Sequence, residues 1–86
     1  MPHMIVETVY DPPATGEEID AKASKLEPCL EGHGVRRVRS YISLDQRRRV
    51  CIFEAADADS VRASYRSAGV KLERVWPAEE VNDDDA

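Results

Sequence analysis

Apolar and polar positions repeat with two different periods along the chain, and each change of period marks a new element. Met4 to Val9, "MIVETV", is a β-rich run stopped by "DPP", where two prolines cannot donate to a ladder. "TGEE" follows, with Thr15 placed to accept from the backbone three residues on and Glu18 to reach back, the pattern of a capping box. Ile19, Ala23, Leu26 and Leu30 then recur at spacings of four, three and four, which predicts an amphipathic helix ending at Gly32 to Gly34. Pro28 interrupts that pattern and is expected to kink the helix or divide its last turn. "VRRVRSYIS" and Arg49 to Ala55 predict a hairpin about the turn "LDQ". A second helix, capped by Asp57 or Asp59 and ended by Gly69, buries Val61, Ala63, Tyr65 and Ala68. "VKLERVW", closed by Pro77, is the last strand.

The order β, α, β, β, α, β and the right-handed crossover rule leave few topologies. The simplest is the α+β ferredoxin-like arrangement: a four-stranded antiparallel sheet with both helices on one face, strands one and three central. A chain of 86 residues supports one core. The expected domain is residues 1–78.

Strand two alternates as a one-sided sheet should, with Val38, Ser40 and Ile42 on one face and Arg37, Arg39 and Tyr41 on the other. The central strands are apolar on both sides: Met4 and Val6 against Ile5 and Val9, Cys51 and Phe53 against Val50 and Ile52. The face away from the helices therefore also needs cover, which a second copy packing sheet against sheet would supply as a dimeric α+β barrel. Glu7, Glu54, Arg39 and Tyr41 would line the enclosed pocket. Two neighbouring buried carboxylates disfavour each other's ionisation, and Arg39, with Arg37, or a metal ion would relieve that. Arg47 and Arg48, in the turn, are expected to meet only water. Ser40 and Cys51 fall on the opposite face of their strands.

Charge and composition narrow the classes. The net charge is -5, and five acids lie in the last eight residues, "EEVNDDDA", which hold no Lys or Arg. The body is neutral, and 79–86 is expected to be a disordered acidic tail. Cys29 and Cys51 are too far apart for a CxxC motif, and Cys51, mid-strand, behaves as a small hydrophobe. No apolar run spans a bilayer and no signal peptide is evident, so a cytoplasmic protein with no membrane partner is expected. RNA binding on the open face would call for a basic Gly-aromatic-Gly-aromatic signature, which "RRRVCIFEA" lacks, so no nucleic-acid partner is expected. His33, between glycines at a helix end, suits a cation favourable to the helix dipole, and it and His3 are the only imidazoles open to a metal. Trp76 is expected as a core or interface anchor.

"GVRRVRSYISLDQRRRVCIFEAADADSVRASYRSAG", Gly34 to Gly69, resembles a family of small bacterial domains that includes nickel-binding proteins. Gly34, Val35, Ser40, Tyr41, Asp45, Cys51, Phe53, Glu54, Ala55, Val61, Arg62 and Gly69 fit its pattern, and Glu7 fits its first strand. The resemblance implies a ferredoxin-like fold and a dimeric barrel and makes nickel the candidate metal; the residues themselves offer Glu7, Glu54 and His33 as its candidate ligands. Arg37 stands where that family often has an aromatic, and Arg39 where a histidine often precedes Ser-Tyr. A guanidinium offers no lone pair to a metal. The expected function is thus binding of a small ligand or metal ion between the sheets of a homodimer. The rival is a small dimeric barrel enzyme, oxygenase- or isomerase-like, using the same cavity on a hydrophobic compound, with Tyr41 and Glu54 as acid and base; it rests on fold analogy.

Overall fold

The computed structural model describes residues 2–81. Six elements follow in the expected order: β1 (His3–Val9), α1 (Gly16–Gly32), β2 (Arg36–Ile42), β3 (Arg48–Glu54), α2 (Ala58–Ala68) and β4 (Arg74–Ala78). The strands form one antiparallel sheet in the order β2-β3-β1-β4, so β1 and β3 are central. This is the ferredoxin-like βαββαβ topology.

Local chemistry sets the helix ends. Thr15 Oγ1 accepts from the Glu18 amide and Glu18 Oε1 accepts from the Thr15 amide, each at 3.1 Å, so both arms of the capping box are made. Asp57, not Asp59, caps α2, accepting from the Ser60 amide at 2.7 Å. Both helices end on a left-handed glycine, Gly34 and Gly69, each at φ 69°. The residue after each donates back into the helix, Val35 to Leu30 and Val70 to Tyr65.

Pro28 does not divide α1, which runs unbroken to Gly32. Leu26 and Leu30 on either side of the proline are both buried in the core, and that packing holds the turn.

The core lies between sheet and helices: Met4 and Val6 from β1, Cys51 and Phe53 from β3, Val75 from β4, Leu26 and Leu30 from α1, Val61 and Tyr65 from α2. Phe53 is fully buried and meets the Tyr65 ring edge-on, centroids 6.2 Å apart. On α2 the buried third member is Ser64 rather than Ala63, its hydroxyl satisfied by the Ser60 carbonyl at 2.8 Å.

Two strand expectations need correction. β4 begins at Arg74 and runs through Pro77 instead of stopping before it. As an edge strand it can carry a residue without an N–H, provided that side faces outward. In β2 the register passes from Arg37↔Phe53 to Arg39↔Ile52 and skips Val38, a β-bulge. The extra residue reverses the alternation, so Arg37 falls on the helix side and Val38 on the open side.

Candidate functional site

The open face of the sheet carries His3, Ile5 and Glu7 from β1, Val50, Ile52 and Glu54 from β3, and Trp76 and Ala78 from β4. A cavity of about 330 Å³ sits on it, within the range of small-molecule sites. Ile5, Ile52, Val38 and Ala78 give it an apolar lining, with Trp76 on the β4 side and Arg39 and Tyr41 on the β2 side. His3, Glu79 and Glu80 complete its border. The bulge builds this wall, because it sends Val38 and Arg39 to the same side of β2.

The four expected pocket residues divide into two pairs. Arg39 and Tyr41 line the cavity, and the Tyr41 oxygen pushes the Arg39 guanidinium pKa further up, with a lesser push from Glu80. Glu7 and Glu54 share the open face but are not neighbours. Glu7 stands opposite Val50 and Glu54 opposite His3, four residues apart along β1, roughly 13 Å at strand rise.

Each carboxylate has a partner other than the one expected. Glu54 Oε1 accepts from Arg36 Nη2 at 2.8 Å, and that hydrogen bond, followed by the Arg36 charge and a smaller effect of His3, holds the carboxyl below the usual carboxylate range. Glu7 Oε2 accepts from Trp76 Nε1 at 2.8 Å and lies 3.8 Å from Arg74 Nε. Arg37 is turned away by the bulge; it pairs with Glu27 at 3.0 Å and stacks over Phe53, its guanidinium 5.6 Å from the ring centroid. Arg47 is 3.7 Å from Asp11, an exposed and weak pair.

His33 caps α1 in the helix layer, while Glu7 and Glu54 are on the other face of the sheet. One chain therefore does not assemble Glu7, Glu54 and His33 around a single ion. Among the described residues no group of three or more His, Cys, Asp or Glu side chains could hold a metal. Ser40 and Cys51 meet on the helix side, hydroxyl donating to Sγ at 3.3 Å.

The sequence reading missed several lining residues. His3, although near the chain's start, pairs with both Glu54 and Ala78 inside the sheet. Glu79 and Glu80 were grouped with the acidic tail, whose residues 82–86 lie outside the described residues. Trp76 carried a signal: Val75 before it is buried, so alternation turns the indole to the open face. Among the described residues no helix is long and apolar enough to cross a membrane.

A family model described as "Nickel responsive protein SCO4226-like" matches residues 3–78. The crystal structure of SCO4226 from Streptomyces coelicolor A3(2) is similar, with a TM-score of 0.81 at 12% identity over 93% of this chain and 99% of that one. At that identity the likeness speaks for the fold alone. No curated protein matches the chain.

Proposed function

The chain belongs to the SCO4226-like family of nickel-responsive proteins, and from that premise we propose that it binds a small ligand in the open-face cavity, closed by the same face of a second copy. One observation carries the reading: a cavity on the helix-free sheet face, floored by Ile5 and Ile52 and flanked by the exposed Trp76 and Val38. Apolar patches of this kind on a small domain mark an interface or a ligand groove. Two copies meeting there bury the patch and turn an open groove into an enclosed site. Arg39 and Tyr41 then supply the polar contacts at the β2 side, and Glu7 acts by fixing the Trp76 ring.

Nickel enters this reading through donors of two copies together. Ni(II) takes nitrogen and oxygen ligands in tetragonal or octahedral sets, more than one chain brings to any point described above. Of the expected ligands, Glu54 is the one with an imidazole, His3, directly across from it on the shared face. Glu7 is engaged by Trp76, and His33 is in the helix layer.

Light scattering tests the reading directly. The wild-type chain is expected at twice its monomer mass, and Ile52→Lys, which puts a charge at the centre of the face, at the monomer mass. The same variant is expected to lose uptake of an apolar fluorescent dye and to bind nickel more weakly in calorimetry. A wild-type chain that stays monomeric at high concentration, or nickel affinity unchanged in a monomeric Ile52→Lys, would refute the shared site.

A further inference from the structure

On the other side of the sheet a narrow cleft of about 20 Å³ opens among α1, the strands and the segment after α2. Four cations border it from four parts of the chain: Lys22 on α1, Arg37 on β2, Arg49 on β3 and Lys71 after α2. Among the described residues no Asp or Glu borders it. In a chain with 17 acids and 12 Lys and Arg, that segregation of sign does not follow from composition.

Like charges around one cleft repel, and an anion placed among them adds an attraction to each cation that offsets the repulsion. The protein's own carboxylates do little of this. Among the described residues only Arg37 of the four has an ion-pair partner, Glu27. Lys22 instead rests over the Tyr10 ring, 5.3 Å from its centroid.

A second observation points inward. Arg37 Nε is buried without a hydrogen-bond partner, an unsatisfied donor on a residue that lines the cleft. Tyr65 also lines it, and burial pushes its phenol pKa well up, so the hydroxyl keeps its proton and can donate. The space admits one water-sized group.

We propose that this cleft is an oxyanion site, seating one oxygen of a phosphate or carboxylate between Arg37, Arg49 and Tyr65, with Lys22 and Lys71 meeting the remaining charge at its mouth. It is separate from the open-face cavity and does not depend on a second copy. Guanidinium donors to a single anionic oxygen give charge-assisted hydrogen bonds, the strong kind.

Amide NMR titrations at constant ionic strength, with inorganic phosphate replacing chloride, test it. Saturable shifts are expected at Cys51, Tyr65, Val70 and Lys71. Arg49→Gln and Lys71→Gln each remove one charge and leave the Arg37–Glu27 pair, and each is expected to weaken binding about tenfold. Arg74→Gln, on the opposite face, leaves it unchanged. Lys71 is exposed and outside every helix and strand, so Lys71→Gln decides the matter should Arg49→Gln fail to fold. Parallel titration with phenyl phosphate separates the sources: tighter binding than inorganic phosphate identifies the anionic end of an organic ligand, equal or weaker binding the free ion. Shifts that do not saturate, that spread over the basic residues generally, or that persist in both charge-removing variants overturn the site.

Discussion

Trp76 Nε1 donates a 2.8 Å hydrogen bond to Glu7 Oε2, tying edge strand β4 to central strand β1 across the open face. The indole pairs in register with Ile5, so the contact is diagonal, and it holds the ring against the cavity instead of letting it swing into solvent.

Glu7→Leu removes that acceptor. Stability is expected to fall by about 1 kcal/mol, the usual size for one partly exposed hydrogen bond. Trp76 is the single tryptophan, so intrinsic fluorescence reports on it alone, and its emission should move to the red as the ring is released. An unchanged emission maximum would show that the bond does not hold the ring.

Acid should destabilise the fold through identified carboxyls. Glu54 is held low first by the hydrogen bond from Arg36, Asp45 by the Ser43 hydroxyl and the Arg47 amide, and Asp57 by the Ser60 amide and hydroxyl. A carboxyl with a depressed folded-state pKa contributes its full stability above the unfolded value and loses it as pH falls through the folded one. The urea midpoint should therefore be flat near neutrality and decline from the ordinary carboxylate range downward. Arg36→Gln should remove the Glu54 share, giving a shallower acid limb than wild type.

Thr15→Ala breaks one arm of the capping box and leaves the Glu18 amide without its acceptor. The expected cost is about 1 kcal/mol, read as a lower denaturation midpoint with an unchanged slope.

Phe53→Ala empties the centre of the core, where the ring packs edge-on against Tyr65 and carries the Arg37 guanidinium. A loss of about 3–5 kcal/mol is expected. For a domain this small that is a large share of a total of roughly 5–15 kcal/mol, so circular dichroism should show a partly unfolded population at 37 °C. A melt matching wild type would contradict the central role of this ring.

The topology was legible because each element announces itself locally. The capping box at Thr15, the glycines after each helix and the β-rich runs of β1 and β3 each point to one kind of element, and the structure has those elements. The site was legible only by face. Period-two alternation assigns Glu7, Glu54 and Tyr41 to the open side correctly, but it carries no register, and register decides that Glu7 and Glu54 are four residues apart. Nor does a bulge leave a mark in "RRVRS": Val38 looks like any alternating apolar residue, yet skipping it moves Arg37 to the core side and makes Arg36, not Arg39, the partner of Glu54. Glu79 and Glu80 looked like the start of the acidic tail, and sequence has no sign for where the sheet's last contact falls.

Pro77 lies in β4, where a further strand would otherwise dock. An imide nitrogen cannot donate, so a neighbouring chain cannot zip onto that border in unbroken register. The opposite border, β2, is interrupted at Val38 and studded with arginines. Both margins thus resist lateral, fibril-like growth, which leaves the open face as the surface on which the proposed pairing of copies would form.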